Sequence, residues 1–292
     1  VIDDAERMPP APEIRGQSTS RAEFGVRAHL ATKARTQLSG LHKRSRFLAK
    51  VMTSLFYYAL AMSRPSRLIL PAVPLHIIQR GNNRGACFAG TTDYLVYLTL
   101  LRKYAAETAC HVHAYVLMTN HVHLLLSTGS RTGPSILMRR LGQHYVQYFN
   151  RTHGRSGTLW EGRFRSCLVD SERYLLICQR YIELNPVRAR MVETPEAYAW
   201  SSYRANAFGA DDPVVTPHLV YTGLGMHDVD RRAAYRHLFF EDLSEQLLEE
   251  IRRCGNSCRP LGPTSFVDDV TRSPGQGPGQ QVAAGVPLTK NK

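Results

Sequence analysis

Residues 110–127, CHVHAYVLMTNHVHLLLS, constrain the fold more than any other stretch of the chain. Two β-rich runs, 112–118 and 122–127, flank Thr119-Asn120-His121, a connection of the length that joins antiparallel strands in a hairpin. His-Val-His occurs twice here, at 111–113 and 121–123. Side chains at i and i+2 of a strand share a face, so each copy can present two imidazoles to one ion. The residues alone leave open which copy binds metal, or whether either does, because a histidine pair is as readily satisfied within a fold.

The flanking segments supply the rest of a sheet and its helices. In SRPSRLILPAVPLHIIQRGNNRG, apolar and polar residues alternate through 76–80 and break at Gly81-Asn82-Asn83, predicting a strand and its turn. Residues 93–109 keep Leu95, Leu98, Leu101 and Ala105 on one side, as an amphipathic helix does. Residues 135–150 predict a second helix, starting at Ser135 after Pro134, with Arg139, Arg140, Gln143 and Gln147 on its polar side. After a turn-rich basic segment at 151–170, Ser171 can cap a third helix, ERYLLICQRYIEL, which must end close to Asn185 because the residue before Pro186 is disfavoured in α geometry.

This order predicts an α/β (α+β) sandwich: a mainly antiparallel, ferredoxin- or RRM-like central sheet with packed helices, plus a helical C-terminal extension. Asp242 and Glu245 resemble a capping box for a helix through Arg253 that Gly255 stops. The divisions expected are a poorly ordered extension at 1–61, the main domain at 62–227, an accessory helical region at 228–271 and a disordered, Gly- and Pro-rich tail at 272–292.

Charge narrows the partners. Lys and Arg number 37 against 24 Asp and Glu, a net +13 with a pI near 9.7, the footprint of a nucleic-acid partner. Between 62 and 227 the balance is 18 basic against 10 acidic residues, 18 − 10 = +8. Six cysteines fall at irregular spacings without a CxxC pair and read as reduced thiols; Cys254-x3-Cys258 lacks the second ligand pair of a zinc ribbon. The longest apolar run, 47–62, is interrupted by Lys50 and shorter than the roughly 20 residues of a membrane span, and no secretory signal is visible. The expectation is a cytoplasmic protein without a membrane partner, nucleoid-associated when bound to DNA.

A phosphodiester substrate calls for a nucleophile beside the metal that polarises the phosphate. Neither a Gly-x-Ser-x-Gly elbow nor a P-loop is present. Of the 14 tyrosines, Tyr181 alone has an amide, carboxylate or imidazole four positions on, Asn185, which on a helix lies one turn away on the same face. A tyrosine packed into an amphipathic helix satisfies the same spacing, so both readings stand on the residues alone.

HIIQRGNNR, YVLMTNHVHLLL and LWEGRFRSCLVDSERYLLICQRYIELNPVRA, three separated blocks in that order along the chain, resemble the REP-associated tyrosine transposases, a branch of the single-tyrosine HUH transposases. The resemblance runs from about residue 62 to 200, with a weaker match in RRAAYRHLFFEDLSEQLLEEIRR. Thr119 stands where many members have Pro, and residues 1–61 have no counterpart in the pattern. The resemblance implies that His121 and His123 are metal ligands, Asn185 the amide ligand and Tyr181 the nucleophile; His111 and His113 are then not expected to bind metal. It further implies attack on single-stranded, hairpin-forming DNA, leaving a 5′-phosphotyrosine and a free 3′-OH, with Mg²⁺ or Mn²⁺ suited to an imidazole and amide donor set.

Arg139, Arg140, Arg151, Arg155, Arg163 and Arg165, interleaved with Tyr148, Trp160 and Phe164, form the expected DNA surface, in which guanidinium groups pair with phosphates and aromatic faces stack on bases. The resemblance also implies a short guide sequence beside the hairpin, which Arg80, Asn82, Asn83 and Arg84 are expected to read. One tyrosine per chain performs one cleavage at a time, compatible with a monomer or a homodimer. Two other readings compete: an RRM-like module that binds single strands without cutting, and a metal-dependent hydrolase that activates water.

Overall fold

The computed structural model describes residues 67–171 and 173–272. The expectations for 1–61 and for the tail beyond Arg272 lie outside the described residues; Arg272 itself closes a helix.

Four strands form one antiparallel sheet: β1 (Leu75–Arg80), β2 (Cys110–Met118), β3 (His121–Thr128) and β4 (Arg165–Leu168), in the order β2-β3-β1-β4. Helix α1 (Thr91–Glu107) joins β1 to β2, and α2 (Gly133–Thr152) joins β3 to β4. This is the βαββαβ arrangement of ferredoxin-like folds, as expected from a strand, a helix and a hairpin in that order. The hairpin turn is tighter than the sequence implies. Only Thr119 and Asn120 lie outside the strands, and His121 opens β3.

The alternation expected of β1 does not survive as burial, because both sheet faces are covered. On one face Leu75, Ile77, Val112, Tyr115, Leu117, Val122, Leu124 and Leu126 pack with residues of α1 and α2. On that side α1 buries Tyr97, Leu101, Tyr104 and Ala105; Leu95, expected on the apolar stripe, is exposed. The register places His76, Ile78 and Arg80 on the other face, beside Leu125, His123 and His121 of β3.

That second face is covered by α3 (Leu175–Glu183) and, after the short helices α4 (Asn185–Arg188), α5 (Tyr203–Phe208), α6 (Leu219–Thr222) and α7 (Asp228–His237), by α8 (Glu245–Ser257). A last helix, α9 (Thr264–Arg272), contributes Val270 to the first core. Ser171 does not cap α3, which begins four residues later after Tyr174. Asp242 and Glu245 do not cap α8: Ser244 does, accepting from the Leu247 N–H at 3.3 Å. Nor does Gly255 stop α8. It lies inside the helix, where a Cβ would stand 2.7 Å from Cδ1 of Ile78, so its hydrogen lets α8 lie against β1.

Glu183, wholly buried on α3, accepts hydrogen bonds from Ser202 Oγ (2.6 Å), Asn206 Nδ2 (2.8 Å) and Tyr235 Oη (2.7 Å). Burial pushes its carboxyl up to about 7. The three donors tie α3 to α5, α7 and the segment before α5, fixing the helix that carries Tyr181.

Candidate active site

The two His-Val-His copies differ because β2 is bulged. Val112 pairs with Leu126 and Ala114 with Leu125, so His113 is an extra residue opposite no partner, and His111 and His113 lose the shared face of a regular strand. His111 is exposed. His113 is buried, with Nδ1 2.7 Å from the Thr216 carbonyl oxygen and Nε2 2.9 Å from Ser127 Oγ. The carbonyl can only accept, so Nδ1 donates and Nε2 receives the serine hydroxyl. Both nitrogens are used, and burial lowers the pKa to about 4.

The second copy lies on a regular strand. His121 donates from Nδ1 to Asn120 Oδ1 (2.6 Å), and His123 Nδ1 is 2.8 Å from Nε2 of His76. Neither Nε2 has a hydrogen-bond partner among the described residues. Burial, aided by Arg80, lowers His121 to about 4; burial with neighbouring His76 and His121 holds His123 well below the usual imidazole range. Two neutral imidazoles with Nδ1 engaged and Nε2 open fit a divalent ion. Among the described residues, no group of three His, Cys, Asp or Glu side chains is placed to hold a metal, so a third protein ligand has to be of another type.

Asn185 is of that type. It opens α4, and its Nδ2 donates to the Tyr181 carbonyl at 3.3 Å, leaving its own Oδ1 without a partner among the described residues. The Tyr181 ring stands edge-on to the histidine pair, with centroids 5.9 Å from His123 and 6.0 Å from His76. Burial raises the phenol pKa, while Arg188 and Arg252 lower it.

His76 escaped sequence reasoning. It is fully buried, stacked on His123 at 5.1 Å, and its Nδ1 lies 4.0 Å from Cys167 Sγ. Its alternate position in HIIQR marked a face, but nothing local marks a partner 47 positions away. The cysteines are all free, and only Cys258 is exposed.

The expected DNA residues do not form one surface. Arg139, Gln143 and Arg163 line a groove of about 670 Å³ with Arg67, Gln79 and Phe164; Gln79 alternates with His76, so the groove opens on the α1–α2 face, opposite Tyr181. Arg155 and Asn82 border a different depression, with Asn83, Arg84 and Arg151 exposed. Arg80 and Arg165 belong to the Tyr181 face, and Arg165 donates to Asn256 on α8 (2.9 Å). Arg140 pairs with Glu107. The aromatic members are corrected: Trp160 is buried against Tyr97 and Tyr145, Phe164 lies under the Arg67 guanidinium at 3.7 Å, and Tyr148 donates to Asp93 (2.9 Å). Trp160 and Phe164 are buried in the core beneath α2, which leaves little of their faces to stack on bases, whereas Tyr148 is only partly buried.

The four-stranded βαββαβ sheet carries the Tyr181 helix over His76 and His123, and residues 71–185 match the family model described as "Transposase IS200 like". Two solved structures resemble the chain more widely. One is a REP-associated tyrosine transposase bound to a REP hairpin, 17% identical, covering 54% of this chain and 93% of that one, with a TM-score of 0.42. The other is a transposase candidate from Deinococcus radiodurans R1, 22% identical, covering 41% of this chain and 95% of that one, with a TM-score of 0.30. No curated protein matches the chain. Among the described residues no helix is long and apolar enough to cross a membrane.

Proposed function

We propose that the protein is a single-strand DNA endonuclease and strand transferase of the transposase type, with Tyr181 as nucleophile and hairpin-forming, REP-like DNA as substrate. The observation that carries this reading is the Tyr181 ring 5.9 Å from His123, a neutral imidazole that stands 5.0 Å from His121 and, like it, has no Nε2 partner among the described residues. His121, His123 and Asn185 would hold Mg²⁺ or Mn²⁺, which when bound polarises the scissile phosphate.

Tyr181 Oη forms the new bond to phosphorus and the P–O3′ bond breaks. The departing 3′-oxygen gains a proton, the phenol having lost one, so the products are a 5′-phosphotyrosine and a free 3′-OH. The bond energy is kept in the adduct, so a second 3′-OH reverses the step and no nucleotide cofactor is consumed. The chain orients the reaction by holding the Tyr181 main chain through Asn185 and the ring against the histidines. The protein acts as a monomer or a homodimer, in the cytoplasm, on the nucleoid when bound.

The test is a denaturing gel of protein incubated with labelled hairpin DNA and Mg²⁺ or Mn²⁺. A covalent adduct that disappears in Tyr181→Phe is expected. Cleavage that survives Tyr181→Phe would assign the site to water-activating hydrolysis instead, and binding without cleavage by metal-loaded protein would leave an RRM-like binding module.

A further inference from the structure

Tyr181 lies between two guanidinium groups that no part of the reading above uses. Arg188, on α4, stands over the Tyr181 ring at 4.3 Å and donates from Nη2 to the Tyr181 carbonyl. Its other terminal nitrogen, Nη1, is buried without a hydrogen-bond partner among the described residues. Arg252, on α8, lies beside the same phenol and repels Arg188. Among the described residues the one carboxylate acting on Arg188 is Glu245, which Arg252 already binds at 2.9 Å.

Two like charges held beside one hydroxyl, one with a buried N–H left over, are costly in a protein that offers them a single shared acid. An anion arriving at Tyr181 resolves both costs. Resting on the assignment of Tyr181 as nucleophile, we propose that Arg188 and Arg252 form the seat for the non-bridging oxygens of the DNA phosphodiester that Tyr181 attacks. Arg188 Nη1 supplies the buried donor, and its Nη2 keeps the guanidinium registered to the tyrosine main chain. Both residues lie beyond the 71–185 segment that matches the family model, so the seat is completed by α4 and α8.

Planar, doubly donating guanidinium is suited to phosphate oxygens, whereas a lysine offers a point charge without the fork. The charge demand also separates this role from simple packing. A methylphosphonate at the scissile position lacks the anionic oxygen that the seat would hold, yet keeps the same shape.

The experiment measures single-turnover adduct formation on hairpin DNA carrying either an ordinary or a methylphosphonate scissile linkage, together with hairpin affinity, for wild type, Arg188→Met and Arg252→Gln. Arg188→Met is expected to slow adduct formation on the ordinary linkage about 100-fold, in the range set by losing one preorganised donor, and Arg252→Gln about 10-fold. Hairpin affinity should stay within about threefold, and both losses should shrink to a few-fold on the methylphosphonate. Arg252 is half-exposed, so its variant carries the comparison should Arg188→Met fail to fold. Equal losses on the two linkages, or no loss on the ordinary one, overturn the proposal while a wild-type adduct at Tyr181 leaves the nucleophile assignment intact. A wild-type protein that forms no adduct removes both.

Discussion

His113 is expected to be an acid-labile post of the fold with no part in chemistry. Its imidazole bridges the Thr216 carbonyl and Ser127 Oγ across a bulge and is held neutral with a pKa of about 4, against 6.5 for a free histidine. In the unfolded chain it takes a proton below about pH 6.5; in the folded chain it does so only near pH 4. Between those values the unfolded state binds more protons, so this residue's contribution is fully present above pH 6.5 and is lost as pH falls. From pH 7.5 to pH 5 the loss is about 2 kcal/mol, from a shift of about 2.5 units at 1.36 kcal/mol each, most of it expressed by pH 5.

His113→Asn removes this titration. Its amide can still donate to Thr216, but the Ser127 hydroxyl loses its acceptor, at a cost of about 1–3 kcal/mol. Urea unfolding should therefore show the variant about 2 kcal/mol less stable than wild type at pH 7.5, with the gap closing to within about 1 kcal/mol at pH 5. DNA cleavage at pH 7.5 should be unchanged. A gap of the same size at both pH values would refute the sequestered, neutral imidazole. Loss of cleavage in folded His113→Asn alongside full activity in His123→Ala would show that the other histidine pair is catalytic.

His76→Phe keeps a ring in the buried slot but removes the nitrogen that engages His123 Nδ1; Mn²⁺ affinity by calorimetry or electron paramagnetic resonance should fall about 10- to 100-fold, and unchanged affinity would deny His76 any role in orienting His123. Tyr235→Phe withdraws one of three donors from the buried Glu183 carboxylate and should cost about 1–3 kcal/mol in urea unfolding; a loss below about 0.5 kcal/mol would show that the network does not hold α3. Arg163→Gln, in the groove on the face opposite Tyr181, should weaken binding of single-stranded DNA and reduce the slope of log K against log salt by about 0.7; an unchanged slope places the DNA elsewhere.

The order of elements was legible because each is announced locally. Alternation and the short break at Thr119-Asn120 mark a hairpin and apolar spacing marks α1 and α2; α3 does end close to Asn185, at Glu183, but Asn185 opens α4 and is helical directly before Pro186. Element boundaries failed where a tertiary contact overrode a local signal. Gly255 reads as a helix stop yet serves a close approach to Ile78, and Leu95 reads as core yet is exposed among the described residues. The aromatic residues near Arg163 read as a stacking surface because sequence reports their chemistry but not the helix above them.

By itself the sequence determined a basic chain, an antiparallel α+β sheet, two histidine pairs and one tyrosine with an amide a turn away, since periodicity and charge are properties of neighbours along the chain. The family resemblance had already chosen between the histidine pairs, and the tertiary structure supplied a physical difference between them: a bulge that consumes His113 and a regular strand that leaves the Nε2 atoms of His121 and His123 open. The tertiary structure alone set His76 behind His123, and Arg188 and Arg252 beside Tyr181. These are contacts between residues of different elements, decided by strand register and by which helix covers which face, and a single chain's residue pattern carries no direct record of either.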